Sequence, residues 1–207
     1  MKMIYKSSIL AIFLVLGSFH ALNETINKVK IVVIDAGHGG HDAGCSSAGV
    51  YEKDIALSIA LKLGEIIKEN LDDVKVIYTR DDDNFKELWE RASQANKEAA
   101  DVFLSIHCNA NNNANAYGTE TYVMGLHKEN SNLSVVAERE NSSILLEENY
   151  EEKYDGFDPT SQESHILFSL YQNAYLKGSL NLADKIEYQF KNRVGRRSRG
   201  VRQAGFW

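Results

Sequence analysis

Proline occurs once in this 207-residue chain, so no rigid proline-rich linker separates domains. A basic excess is also lacking. The 23 Lys and Arg stand against 29 Asp and Glu, a formal charge of −6, which excludes the basic stripe of a nucleic-acid-binding protein. Internal repeats and low-complexity tracts are absent. Wholesale disorder is excluded as well, because the apolar and charged fractions of 43% and 25% are those of globular proteins. Cysteine is scarce: Cys45 and Cys108 each lie near a histidine in sequence. They admit either a disulfide in an oxidising compartment or two free buried thiols, the second being favoured. The length suits one medium domain plus a short leader.

The longest apolar run, Ser8 to Gly17, is too short to span a bilayer as a permanent helix. Met1 to Lys6 before it carries two lysines, and small or polar residues follow from Ser18 to Ala21. That is the layout of a secretory signal peptide, residues 1–21, with Ala21 suited to its last position and Phe19 ill suited two before it. No cysteine follows, so neither a lipoprotein anchor nor an integral membrane segment is expected in the mature chain. The protein reads as exported.

Beyond the leader, apolar strands alternate with amphipathic helices. Strands are expected at Val29–Asp35, Val74–Thr79, Val102–Ile106 and Thr119–Met124, and helices at Lys53–Asn70, Phe85–Ala100 and Ser179–Val194. The first helix carries the stripe Ile55, Ala56, Ile59, Ala60, Leu63, Ile66 and Ile67, and the second carries Phe85, Leu88, Ala92, Ala95 and Ala99. This pattern predicts a single α/β domain with a mostly parallel central sheet flanked by helices on both faces. Residues 127–178 interrupt it as a polar, acidic insert with a helix expected at Asn132–Tyr150 and a turn at Asp155–Pro159. Gly195–Gly200 reads as a basic turn, and Val201–Trp207 as the start of another segment.

Two strands end in histidine. His38 follows the first in Asp35-Ala36-Gly37-His38-Gly39-Gly40, and His107 ends another in Ser105-Ile106-His107-Cys108-Asn109-Ala110. Glu52 opens the helix after the first loop, so all three lie at the carboxyl edge of a parallel sheet, where ligands gather. Two His and one carboxylate form the ligand set of many hydrolytic zinc sites, which keep a further position for water. Each residue alone has a plainer reading: a hydrogen-bonded turn histidine, a satisfied strand-end histidine, an acid answering the helix dipole. Together they set a metal site evenly against those plainer readings, with several divalent ions acceptable to such a donor set. His41 and Asp42 in the same loop are expected to be solvated, and His127 and His165 are assigned no role.

These motifs, with Tyr51-Glu52-Lys53-Asp54 and Tyr78-Thr79-Arg80-Asp81, resemble the zinc-dependent N-acetylmuramoyl-L-alanine amidases, bacterial cell-wall hydrolases. Arg91 and Asn96 also fit the pattern. The resemblance runs from about Val29 to the end of the chain. It implies a catalytic domain over residues 29–207 that uses zinc to cleave the amide between N-acetylmuramic acid and the L-alanine of peptidoglycan. It further implies that His38, Glu52 and His107 are the zinc ligands, with Asn109 in a supporting role. Gly200–Phe206 resembles the segment leading into the family's last strand. That strand normally bears a glutamate acting as general base, a group worth roughly 10²–10⁴-fold. The chain ends at Trp207 before such a segment, so the last strand and the catalytic glutamate are expected beyond Trp207. The domain is accordingly read as incomplete at its C-terminus, which keeps open a non-catalytic wall-binding or regulatory protein.

Insertions of this length are often functional. In the expected helix Asn132–Tyr150, Leu133, Val136, Ala137, Glu140 and Ile144 share one face. A carboxylate there needs a partner. Ala137-Glu138-Arg139-Glu140-Asn141 resembles the inserted helix of autoinhibited members of the family, which implies that Glu140 caps the metal until an activator protein displaces it. Glu147 is the next choice, and the plainer alternative pairs Glu140 with a Lys or Arg. By the same resemblance the compartment is the periplasm, with the wider extracellular space as the alternative. A zinc peptidase cutting within the stem peptide is the rival of like chemistry.

Overall fold

The computed structural model describes residues 28–111, 113, 115–125, 136, 137, 139–147 and 162–206. The expected leader, the turn at 155–159, Leu133, His127 and Trp207 lie outside the described residues, as does part of the helix expected at 132–150.

The β-branched run Ile31–Ala36 forms β1, the middle strand of a three-stranded parallel sheet. Lys75–Tyr78 (β4) pairs along one side of it and Val102–Ile106 (β5) along the other. Short strands Ser46–Ser47 (β2) and Val50–Tyr51 (β3) make a hairpin just before the first helix. Thr119–Met124 (β6) and Ser198–Ala204 (β7) form a separate parallel pair. The fold is α/β with parallel pairing in both larger ladders, as the alternating pattern predicts, and among the described residues these two ladders are separate.

Helix α1, Glu52–Asn70, joins β3 to β4 and has acids in its first turn and Lys68 in its last, both favourable to its dipole. Its fully covered stripe is Ala56, Ala60 and Gly64, narrower than the isoleucine-rich stripe read from periodicity. Ile55, Ile59 and Ile66 are 39%, 47% and 45% exposed. The reason is distance: small residues let the helix backbone approach the sheet. A Cβ on Gly64 would sit 1.9 Å from the Tyr78 hydroxyl. Leu57, Leu63 and Ile67 flank this seam and pack with Val76, Tyr78, Leu104 and Ile106 around Val32, Ile34 and Ala36.

Helix α2, Leu88–Lys97, is shorter than the Phe85–Ala100 expected. Glu90 accepts the Glu87 N–H to start it, and Ala99 at a φ of 49° lies beyond its end. Its buried face holds Arg91 and Ala95, while Ala92 is exposed. Helix α3, Gln162–Asn192, packs on β6 and β7 and begins well before the Ser179 expected, so the last part of the insert is helical. Its Glu187 accepts hydroxyl hydrogen bonds from Thr119 (3.2 Å), Thr121 (2.7 Å) and Ser198, which fixes the helix to both strands. The residues read as a basic turn are partly strand, since β7 starts at Ser198. Among the described residues no helix is long and apolar enough to cross a membrane.

A buried ion pair ties the elements to the end of β1. Arg91 donates from Nη1 to Asp35 Oδ1 and to the Ala36 carbonyl, both at 2.8 Å, and from Nη2 to the His38 carbonyl at 2.9 Å. Thr79 and Ser105 hydroxyls donate to the same carboxylate at 2.6 Å from the two neighbouring strands. Burial works to raise the Asp35 pKa, but Arg91 and the two hydroxyls hold it below the usual carboxylate range. Arg80 adds bonds to the carbonyls of Ala36, Gly37 and Lys53.

Replacing one partner leaves a buried charge unpaired. Arg91→Met is expected to lower the unfolding free energy by about 3–5 kcal/mol. In urea titrations that deficit should narrow as the pH falls, because the stability Asp35 contributes above its unfolded pKa is lost when it protonates.

Candidate metal centre

The loop after β1 is pinned before any metal chemistry is considered. With the carbonyls of Ala36, Gly37 and His38 held by arginines, His38 adopts a φ of 61°, a conformation that a non-glycine residue keeps only when its surroundings dictate it. Gly39 and Asp42 then pair back on each other through two backbone hydrogen bonds. This returns the Asp42 carboxylate to the His38 ring, where Oδ2 lies 2.8 Å from Nδ1. The other ring nitrogen, Nε2, points away from Asp42 and into the cluster.

Glu52 is 2% exposed at the first position of α1. Its Oε2 accepts the Cys45 N–H at 3.0 Å and its Oε1 the Cys108 N–H at 2.7 Å. His107, directly after β5, places Nδ1 3.2 Å from Glu52 Oε1. The two imidazole rings stand 4.9 Å apart, nearly perpendicular. They fit only because their neighbours lack side chains. A Cβ on Gly37 would lie 2.4 Å from the His107 ring, and one on Gly44, itself at a φ of 64°, would lie 2.6 Å from His38.

Glu140 completes the group from a distant stretch of chain. Its Oε2 is 3.0 Å from His107 Nδ1 and 3.5 Å from His38 Nε2. The four residues His38, Glu52, His107 and Glu140 each offer a ligand atom within 4.8 Å of the others. His38 Nε2 and Glu140 Oε2 are buried and make no hydrogen bond. Two unsatisfied buried polar atoms facing one another, of opposite ionic preference, are what a cation between them would satisfy. Two imidazole nitrogens and two carboxylates also suit a divalent ion. This cluster could hold a metal ion.

Without a metal, the carboxylates press protons onto the rings. Burial works against charge on His38, yet Asp42, Glu140 and Glu52 push its pKa up to about 11. Burial likewise opposes charge on His107, and Glu140 and Glu52 raise it to about 9. Reciprocally, and against their own burial, Glu52 is held far below the carboxylate range by both histidines and Glu140 is held down to about 2.

The reading of Asp42 as a solvated loop residue is corrected. It is buried, accepts the Gly44 N–H at 3.1 Å and the Ser143 hydroxyl at 3.2 Å, and orients His38 through Nδ1. The one signal for it was its position four residues after His38 beyond a Gly-Gly turn. His41 stays outside the cluster and stacks on Phe85. Glu147 does not reach the cluster either, because its carboxylate accepts the Leu88 N–H at the start of α2, at 2.8 Å. Asn109 is exposed and donates to Glu120 at 3.2 Å rather than entering the cluster. Cys45 and Cys108 are both free thiols, the Cys45 Sγ donating to the Cys108 carbonyl, and burial raises the Cys45 pKa to about 11.

A family model described as N-acetylmuramoyl-L-alanine amidase matches residues 32–207. The endolysin of Bacillus phage SPP1 is 45% identical over 94 residues, 45% of this chain and 34% of that protein. The N-acetylmuramoyl-L-alanine amidase AmiA of Escherichia coli (strain K12) is 32% identical over 179 residues, 86% of this chain and 60% of that protein. The chain thus spans from about a third to three fifths of these curated relatives. Among solved structures, the N-acetylmuramoyl-L-alanine amidase from Clostridium difficile 630 aligns with a TM-score of 0.57 at 28% identity, covering 86% of this chain and 71% of that one. The catalytic domain of CwlV, N-acetylmuramoyl-L-alanine amidase from Bacillus (Paenibacillus) polymyxa var. colistinus, aligns with a TM-score of 0.54 at 30% identity over the same shares.

Two outcomes follow from the geometry. Removing the carboxylate behind His38 with Asp42→Ala should weaken divalent-ion binding roughly 10–100-fold in competition with a chelating dye. Loading the site at neutral pH should release about two protons, since both imidazoles must give theirs up. Calorimetry in buffers of different ionisation enthalpy reads that number, and the apparent affinity should rise with pH across the neutral range.

Proposed function

The chain belongs to the N-acetylmuramoyl-L-alanine amidase family, and from that membership we propose that it hydrolyses the amide between N-acetylmuramic acid and L-alanine in peptidoglycan. The observation that carries this reading is the convergence of four ligand atoms, two of them buried and unsatisfied, in a chain of this family. We assign His38, Glu52 and His107 as ligands of a zinc ion and Glu140 as a fourth. Bound there, such an ion polarises a carbonyl and lowers the pKa of a water towards neutrality. The protein's own part is orientation. Asp42 holds the His38 tautomer that presents Nε2, and two backbone N–H groups hold both oxygens of Glu52.

Glu140 gives the site a second state. A ligand that fills the position needed by water or substrate blocks the reaction while it stays. Residues 139–147 fix it there through several bonds: Arg139 to the Ala110 carbonyl, Asn141 to the Gly205 carbonyl, Ser143 to Asp42 and Glu147 to Leu88. We propose that this segment is a latch and that an activator protein displaces it. The leader supports export, with residues 1–21 removed, and the periplasm is the compartment in which an amidase with such a latch would meet its substrate.

Mass spectrometry of digested, purified peptidoglycan tests the bond assignment. Release of intact stem peptides beginning with L-alanine is expected, whereas cuts within the stem, or none under any condition, overturn it. In the full-length protein, Glu140→Ala should raise basal hydrolysis by about tenfold or more, the change that roughly 1.4 kcal/mol of latch energy produces. Unchanged activity would sink the latch. Elemental analysis of the purified protein identifies the metal.

A further inference from the structure

The start of β7 carries charge that the metal centre does not use. Arg197, Arg199 and Arg202, with Ser198, line an open cavity of about 300 Å³. Among the described residues, the acid paired with these arginines is Glu120. The Glu120 carboxylate pairs with Arg199 Nε and lies 3.4 Å from Arg202 Nε, and it also accepts from Tyr122 Oη at 2.7 Å and Asn109 Nδ2 at 3.2 Å. Three guanidinium groups against Glu120, with Glu187 bonded to Ser198 behind the wall, leave the cavity net positive. Arg202 Nε is buried, and its contact with Glu120 is an ion pair that falls short of hydrogen-bond geometry. Arg197 is held over the Tyr117 ring at 5.3 Å, which orders a side chain that is otherwise exposed.

Surface arginines often serve only solubility, and such residues are fully hydrated and scattered. These three converge on one concavity, and one of them keeps a buried Nε whose carboxylate neighbour sits outside hydrogen-bond geometry. An arginine fork matches a planar carboxylate, which can take two donors at once. The cavity's acid also reaches the stretch of chain that follows β5 and His107. Asn109 stands two residues after His107 and bonds Glu120, which in turn pairs with Arg199 and Arg202.

We propose that the Arg197, Arg199 and Arg202 cavity is an anion subsite that takes a carboxylate of an acidic peptide while the scissile amide lies at the metal centre. The proposal rests on the amidase reading for the identity of the peptide, whose residues beyond the L-alanine carry carboxylates. Glu120 serves as a positioning residue: its carboxylate draws in the Nε edges of Arg199 and Arg202, and with Arg202 Nη2 donating to the Arg199 carbonyl at 3.5 Å, Arg202 Nη1 and the Arg199 amino groups are left for the ligand.

Binding separates this proposal from catalysis. The full chain carrying Glu140→Ala is titrated by calorimetry with two soluble muramyl peptides, one with a free carboxylate on the residue after L-alanine and one with that group amidated. The acidic peptide should bind about tenfold tighter, with the preference shrinking as salt rises. Arg197→Ala and Arg202→Gln should each reduce the preference towards unity, and Arg202→Lys should keep part of it. Arg197 is exposed, so its variant keeps the test intact should Arg202→Gln disturb the fold. Equal affinity for the two peptides, binding of neither, or occupancy by inorganic phosphate with no discrimination between the peptides overturns the subsite. A chain that discriminates the peptides yet cleaves no amide retires the amidase reading and leaves the subsite standing. Cleavage without discrimination does the reverse.

Discussion

The molecule is organised around a charge pair at the end of its central strand. Asp35 and Arg91 are both buried, and the pair would be a liability if its only return were Coulombic attraction. The return here is positional. One guanidinium binds a carboxylate of β1, a carbonyl of the same strand and the carbonyl of His38, while Thr79 and Ser105 join the carboxylate from β4 and β5. A single polar knot thus fixes the three parallel strands, helix α2 and the first histidine relative to one another. An apolar replacement could pack as well, but it could not hold a carbonyl and thereby set a positive φ at His38.

The cluster beyond that knot is built from rigid parts on one side and a borrowed part on the other. His38, Glu52 and His107 come from the end of a strand, the start of a helix and the end of a second strand, each held by backbone hydrogen bonds or by Asp42. Glu140 comes from a distant segment held by burial of Ala137 and by separate polar contacts. Contacts of that kind are individually worth about 1 kcal/mol. A partner protein with ordinary interface energy can therefore compete with them, which is the property a removable cap requires.

Much of this site was legible in the sequence because strand-end and helix-start positions are periodic features. An apolar run that stops at histidine places that histidine at an edge whatever the rest of the chain does. Asp42 was not legible in the same way, since its burial depends on Gly39 and Asp42 closing on each other, a loop geometry without periodicity. The α1 seam was misjudged for a different reason: hydrophobicity ranks Ile55 and Ile59 above Gly64, whereas close approach to Tyr78 ranks them the other way. The early start of α3 was hidden by composition. The acidic average over 127–178 conceals Ile166, Leu167, Leu170 and Tyr171 at helical spacing.

Glu140 has one more consequence through thermodynamic reciprocity. A carboxylate that gains affinity for the cluster when a cation is present must, by linkage, raise the cluster's affinity for the cation by the same factor. The closed, resting form is then the form that retains its ion best, and opening trades retention for access. On the proposed reading, a hydrolase guarded in this way would be vulnerable to losing its metal to a chelator chiefly while it works. Dormancy would double as storage.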